Sequence, residues 1–186
     1  RFGVLDRVRL AGKADSPHML VMSATPIPRT LALSLAGDLD VSILDEKPAG
    51  RKPVETRALP DTRIEEVIDA VGRALRRGER AFWVCPKVDL DDDESAAVSR
   101  HAALRDLLGP SVGLVHGRMK PAEKDAALEA FRTGETQILV ATTVVEVGVD
   151  VPEATIMVIE RAEGFGLAQL HQLRGRVGRG DKAAYC

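Results

Sequence analysis

The chain has 186 residues, enough for one ordinary domain or a domain with part of another, and enough to bury a core without staples. Hydrophobic residues make up 45%, charged residues 29% and aromatics only 3%, so the core is aliphatic and collagen-like, mucin-like or wholly disordered classes are excluded. The two cysteines, Cys85 and Cys186, lie outside any CxxC pattern, which argues against a disulfide framework and a zinc site. The net charge of −2 hides a local run: without Asp89, Asp91, Asp92, Asp93 and Glu94, the 26 basic residues face 23 acidic ones, a net of +3. That run reads as a solvated loop. No apolar stretch approaches the roughly 20 residues that cross a bilayer, and no signal peptide opens the chain, so a cytoplasmic protein is expected.

Leu20-Val21-Met22-Ser23-Ala24 reads as a buried strand, stopped by the prolines of Thr25-Pro26-Ile27-Pro28. A short helix with Leu31 and Leu35 on one side follows, ended by Gly37, and Val41 to Leu44 is another strand. Residues 46–53 carry three structure breakers and no apolar anchor, so the domain boundary is placed there, between a first part, 1–45, and a second, 54–186.

From Val54 the pattern is regular. Strands are expected at Val54 to Leu59, Ala81 to Cys85, Val112 to Val115, Ile138 to Ala141 and Thr155 to Ile159, with a further strand beginning at Ala183. Helices alternate with them: one opened by a capping box at Thr62-Arg63-Ile64-Glu65 and closed by Arg76-Arg77-Gly78, one carrying Leu104, Leu107 and Leu108, one over Pro121 to Phe131, and a last over Leu167 to about Val177. Fully apolar strands alternating with amphipathic helices predict an α/β fold, a doubly wound and mainly parallel sheet covered on both faces. Ligands of such sheets sit at the carboxyl ends of the strands, which directs attention to the post-strand loops.

Four segments carry candidate chemistry. Gln172-Leu173-Arg174-Gly175-Arg176-Val177-Gly178-Arg179-Gly180 lets backbone approach a partner while aiming several guanidinium groups at it; Arg176 and Arg179 share a face if the helix continues that far. The same tract can equally be a solvated basic helix end. Thr142 and Thr143, after an apolar strand, can donate to phosphate oxygens, and Asp150, near Gly148, can accept from a ribose hydroxyl; an ordinary crossover loop would look the same. His116-Gly117-Arg118 could reach a phosphate, although a lone loop histidine usually has no role, and Ser23-Ala24-Thr25 places small hydroxyls at another strand end.

In order, Ser-Ala-Thr, the threonine-glutamate-glycine-aspartate segment and Gln-x-x-Gly-Arg-x-Gly-Arg resemble motifs III, V and VI of superfamily 2 helicases. Met22 to Thr30, Val112 to Lys120 and Gly166 to Gln172 resemble the RecG type of DNA helicase, over nearly the whole chain. The related transcription-repair coupling translocases share much of the first and last segments, and a non-catalytic RecA-like nucleic-acid-binding module is the alternative from another class.

The resemblance implies two RecA-like lobes that hold ATP and magnesium in a cleft and move along branched or forked DNA, in repair and recombination. It makes residues 1–45 the end of lobe one, with motif III, and 54–186 most of lobe two. Arg176 and Arg179 become arginine fingers, Gln172, Gly148 and Asp150 nucleotide contacts, Thr142, Thr143, His116 and Arg118 DNA-backbone contacts, and Ser23 and Thr25 coupling residues. No Gly-x-x-x-x-Gly-Lys-Ser/Thr occurs, and both chain ends look cut from something longer. The phosphate-binding loop, acidic box and DNA wedge domain are therefore expected elsewhere in the parent. By itself the piece is expected to hold no nucleotide or metal tightly, to hydrolyse no ATP, and to expose a cleft surface on which copies can associate.

Overall fold

The fold was analysed on a computed structural model, which describes residues 9, 12, 18, 20, 22, 42–44, 52–86, 95–142 and 151–186. The chain divides into two compact units, residues 1–44 and 45–186. Of the expected strands at Leu20 to Ala24 and Val41 to Leu44, the described residues Leu20, Met22 and Ser42 to Leu44 are exposed and in no strand, against the expectation; the rest of those strands, the expected helix and the acidic run lie outside the described residues.

In the second unit the strands are β1 (Val54–Glu55), β2 (Arg80–Val84), β3 (Val112–Val115), β4 (Ile138–Ala141), β5 (Ala154–Ile159) and β6 (Ala184–Tyr185). The helices are α1 (Ile64–Leu75), α2 (Ser95–Leu108), α3 (Pro121–Thr133) and α4 (Leu167–Arg174). The strands form one sheet in the order β1-β6-β5-β2-β4-β3, every pair parallel. The doubly wound expectation holds.

Strand alternation divides the core. On one face Ala81, Trp83, Cys85, Ile138 and Val140 pack against Ile68, Val71 and Leu75 of α1 and Ala97 and Leu104 of α2. On the other, Phe82, Val84, Leu139, Ala141 and Met157 pack against Phe131 of α3 and Leu173 of α4. Fully apolar strands are required because both faces are covered. The amino-terminal ends of the strands are clipped to helix ends. Arg80 donates to the Phe131 and Arg132 carbonyls at 3.1 and 2.8 Å, Gln137 Nε2 to the Leu75 carbonyl at 3.1 Å, and the Thr155 hydroxyl to Glu79 at 2.5 Å.

Three local expectations need correction. β1 stops at Glu55 rather than Leu59, because it is an edge strand whose one neighbour, β6, pairs over only two residues. Thr62 caps nothing with its side chain; a 3₁₀ turn at Asp61–Arg63 precedes α1, and Arg63 instead pairs with Glu66 at 2.6 Å. The last helix ends at Arg174, not Val177. Glycines cost helix stability at 175 and 178, and Gly178 has φ +68°, which no helix accommodates.

Candidate functional site

Two groups of expected site residues come from different parts of the sheet. At the carboxyl ends of β3 and β4 lie His116, Arg118 and Thr142. The loop after β3 is closed by Met119 N–H to the His116 carbonyl at 3.3 Å and by Lys124 Nζ to the Gly117 carbonyl at 2.6 Å. His116 is half-buried in it and Arg118 exposed. Thr142 is 1% exposed; its N–H donates to the Val115 carbonyl, and its hydroxyl is buried without a hydrogen-bond partner. A buried hydroxyl with nothing to bond is costly, so such a group invites a function or a ligand.

The arginine tract lies elsewhere. Since α4 ends at Arg174 and Gly178 turns left-handed, Arg176 and Arg179 do not share a helical face. Arg176 is half-buried in the turn after α4, its N–H donating to the Leu173 carbonyl at 2.9 Å, and Arg179 is exposed in the following loop. The tract is pinned by Val177, fully buried in the core. A side chain on Gly178 would press on Ala184 and Val54, the first residues of β6 and β1, at 3.0 and 3.1 Å; one on Gly180 would meet the Pro152 carbonyl, just before β5. Arg179 thus sits by the beginnings of strands, so the tract lies outside the post-strand loops to which this sheet type directs attention. Gln172 is half-buried on α4 itself. Thr143, Gly148, Asp150, Ser23 and Thr25 lie outside the described residues.

A third cluster was not foreseen. At the carboxyl ends of β2 and β5, Glu160 accepts from Arg100 Nε at 2.5 Å and Nη2 at 2.9 Å, from the Trp83 indole N–H, and at 3.9 Å from the Cys85 thiol. The Arg100 guanidinium also lies 5.8 Å from the centre of the Trp83 ring. Burial, then the Glu160 charge, push the Cys85 thiol up to about 12, so it stays protonated and unreactive at neutral pH. The hydrogen bonds that Arg100 donates to Glu160 raise its own pKa further. A cavity of about 320 Å³ opens beside this cluster. Among the described residues no group of three His, Cys, Asp or Glu side chains could hold a metal, and no helix is long and apolar enough to cross a membrane.

The family model for the helicase conserved C-terminal domain matches residues 62–181, which include all of α1 to α4 and the arginine tract. The chain belongs to that family. Over its whole length it is 51% identical to the ATP-dependent DNA helicase RecG of Synechocystis sp. across 190 residues and 53% identical to that of Escherichia coli K12 across 194 residues. It spans 23% and 28% of those proteins, about a quarter of their length. A solved structure of RecG bound to a three-way DNA junction superposes with a TM-score of 0.75 at 51% identity, covering 89% of this chain and 22% of that one. Yeast Dbp5 bound to RNA and ADP BeF3 matches at a TM-score of 0.62 and 19% identity, over 88% of this chain and 42% of that one, and shares the fold.

Proposed function

We propose that the chain is part of an ATP-dependent DNA helicase of the RecG type, comprising the end of its first RecA-like lobe (1–45), a linker (46–53) and most of the second lobe (54–186). The observation that carries this reading is the identity of about one half to RecG helicases over the whole of this chain. The division of the chain after Leu44 supports the first boundary.

The position of the tract suits such a motor. A finger acts on nucleotide held by the other lobe, so it has no need of this lobe's own strand tips. Arg176 and Arg179 would meet the charge that spreads over the γ-phosphate oxygens, and Gln172 would contact the same nucleotide. Bound ATP supplies the free energy for lobe movement. The accompanying Mg²⁺ is assigned to ligands of the other lobe, as the resemblance implies. Thr142, His116 and Arg118, at the strand tips, would hold the DNA backbone, together with Thr143. Contacts of this kind are sequence-independent and weaken with salt. Gly148 and Asp150 are assigned to the nucleotide sugar, and Ser23 and Thr25 to coupling. Branched or forked DNA is the proposed substrate and the cytoplasm the proposed location.

The chain contains no phosphate-binding loop, so the purified chain is expected to show no ATPase, with or without DNA. DNA-stimulated hydrolysis by the purified chain would contradict the assignment of the phosphate-binding machinery to another part of the protein.

A further inference from the structure

Glu160 stands where the chain leaves β5 for the arginine tract. Its N–H bonds the Val84 carbonyl at 3.0 Å, and its carboxylate gathers donors from β2 and from α2. The next residue, Arg161, has φ +47° and ψ +54°, and is the one non-glycine residue with positive φ among those described. This left-handed conformation is disfavoured for any side chain with a Cβ and persists only where its surroundings over-determine it. Nothing on Arg161 itself supplies that support: its side chain makes no hydrogen bond or ion pair with a described residue. The support comes from its neighbours. Glu160 is fixed on one side, and on the other the turn closes through Gly164 N–H to the Arg161 carbonyl at 2.9 Å and Phe165 N–H to the Ala162 carbonyl at 3.1 Å. Phe165 is buried and α4 begins two residues later, leading into Gln172, Arg176 and Arg179.

The carboxylate also ties α2 to the strand tips, at the point from which the chain crosses to α4. Arg100 belongs to α2, on one face of the sheet, and α4 packs on the other. Only Ala97 and Leu104 of α2 are buried, so the Arg100–Glu160 pair is a main anchor of that helix at the strand tips. The side chains of this pair are 25% and 19% exposed, far from the fully solvated regime in which ion pairs contribute little.

We infer that Glu160 is a positioning residue: by anchoring the end of β5 it holds Arg161 left-handed and so sets the direction in which the chain enters α4 and delivers the arginine tract. The inference deepens the motor reading above and rests on it. Without the anchor, Arg161 relaxes to the ordinary backbone regions, and only a minority of molecules keep the competent exit.

The test measures DNA-stimulated ATP turnover and KM for ATP in the full-length protein, and in the purified chain, where Trp83 is the one tryptophan, its emission reports whether the cluster is intact. Glu160→Ala is expected to red-shift that emission and lower kcat about tenfold, equivalent to about 1.4 kcal/mol, with KM little changed. Arg161→Gly alone should leave turnover near the parental value. Combined with Glu160→Ala it should restore most of the lost kcat, since glycine adopts this φ without support. A merely structural role for Glu160 would not be rescued by a glycine at 161. Parental kcat in a Glu160→Ala protein whose emission has shifted would overturn the inference, as would failure of the glycine to rescue. Should Glu160→Ala not fold, Arg100→Met, which removes the main donor to Glu160, is expected to give the same loss and the same rescue, and the same failures would overturn it. Arg176→Ala run in parallel separates the two levels. If it cuts turnover by orders of magnitude while Glu160→Ala leaves kcat at the parental value, the positioning inference fails and the motor reading stands. If Arg176→Ala is also harmless, the assignment of Arg176 to the nucleotide fails and the inference with it.

Discussion

The tips of β3 and β4 and the tract after α4 both carry side chains of the kinds that can bond phosphate, yet they lie toward opposite ends of the same sheet. Thr142 and His116 follow strands, whereas Arg179 sits between two glycines that touch the beginnings of β1, β5 and β6. One ligand cannot be served by both from a single pocket within this unit. A lobe that grips DNA at its tips and reaches a nucleotide held by another lobe has a use for both positions. Similarity to RecG helicases supplies the assignment of DNA to the tips and nucleotide to the tract, as a proposal.

The division can be broken by variants that separate two activities. The largest expected effect is at the tract. Arg176→Ala or Arg179→Ala in the full-length protein should cut ATP turnover by about 10³–10⁵, as loss of arginine fingers does elsewhere, with DNA affinity preserved in filter binding or anisotropy. Parental turnover in both variants would remove the finger assignment.

Much smaller effects sharpen the contrast between the strand tips and the clipped strand beginnings. Thr142 and Thr155 are each 1% exposed, but the Thr155 hydroxyl bonds Glu79 while the Thr142 hydroxyl bonds nothing. Thr155→Val should destabilise the chain by about 1 kcal/mol in urea unfolding. Thr142→Val should be neutral or slightly stabilising, because an orphaned hydroxyl is replaced by an isosteric apolar group. It should also weaken DNA binding by several-fold in the full-length protein. Equal destabilisation by both would mean that Thr142 is an ordinary core residue.

Much of this architecture was legible in the sequence because its strands are apolar on both faces and bounded by glycine or proline. β2, β3, β4 and β5 fall within one residue of where Ala81-Phe82-Trp83-Val84-Cys85, Val112 to Val115, Ile138 to Ala141 and Thr155 to Ile159 suggested. Helix α3, with Pro121 at its start and Gly134 left-handed at its end, was equally plain. The misses have physical causes. β1 was read from its own β-propensity, whereas an edge strand extends only as far as its partner. The end of α4 was read through glycines whose meaning depends on close packing against β1 and β6.

The candidate site divides in the same way. Thr142, His116 and Arg118 could be placed because position after a strand is local information. Where Arg176 and Arg179 sit relative to the strands is not local, because it depends on the close packing of Gly178 and Gly180. The Glu160 cluster escaped altogether, since its contacts join residues 60 and 77 apart in the chain. Its one local trace is a carboxylate directly after an apolar strand.

The central claim is tested most directly by a structure of the full-length protein holding branched DNA and a transition-state mimic of ATP. The account predicts guanidinium nitrogens of Arg176 or Arg179 about 3 Å from the γ-phosphate mimic, with DNA phosphates lying against the loops that follow β3 and β4. A mimic bound with both arginines turned away to solvent, or DNA running past the beginnings of the strands, would contradict it.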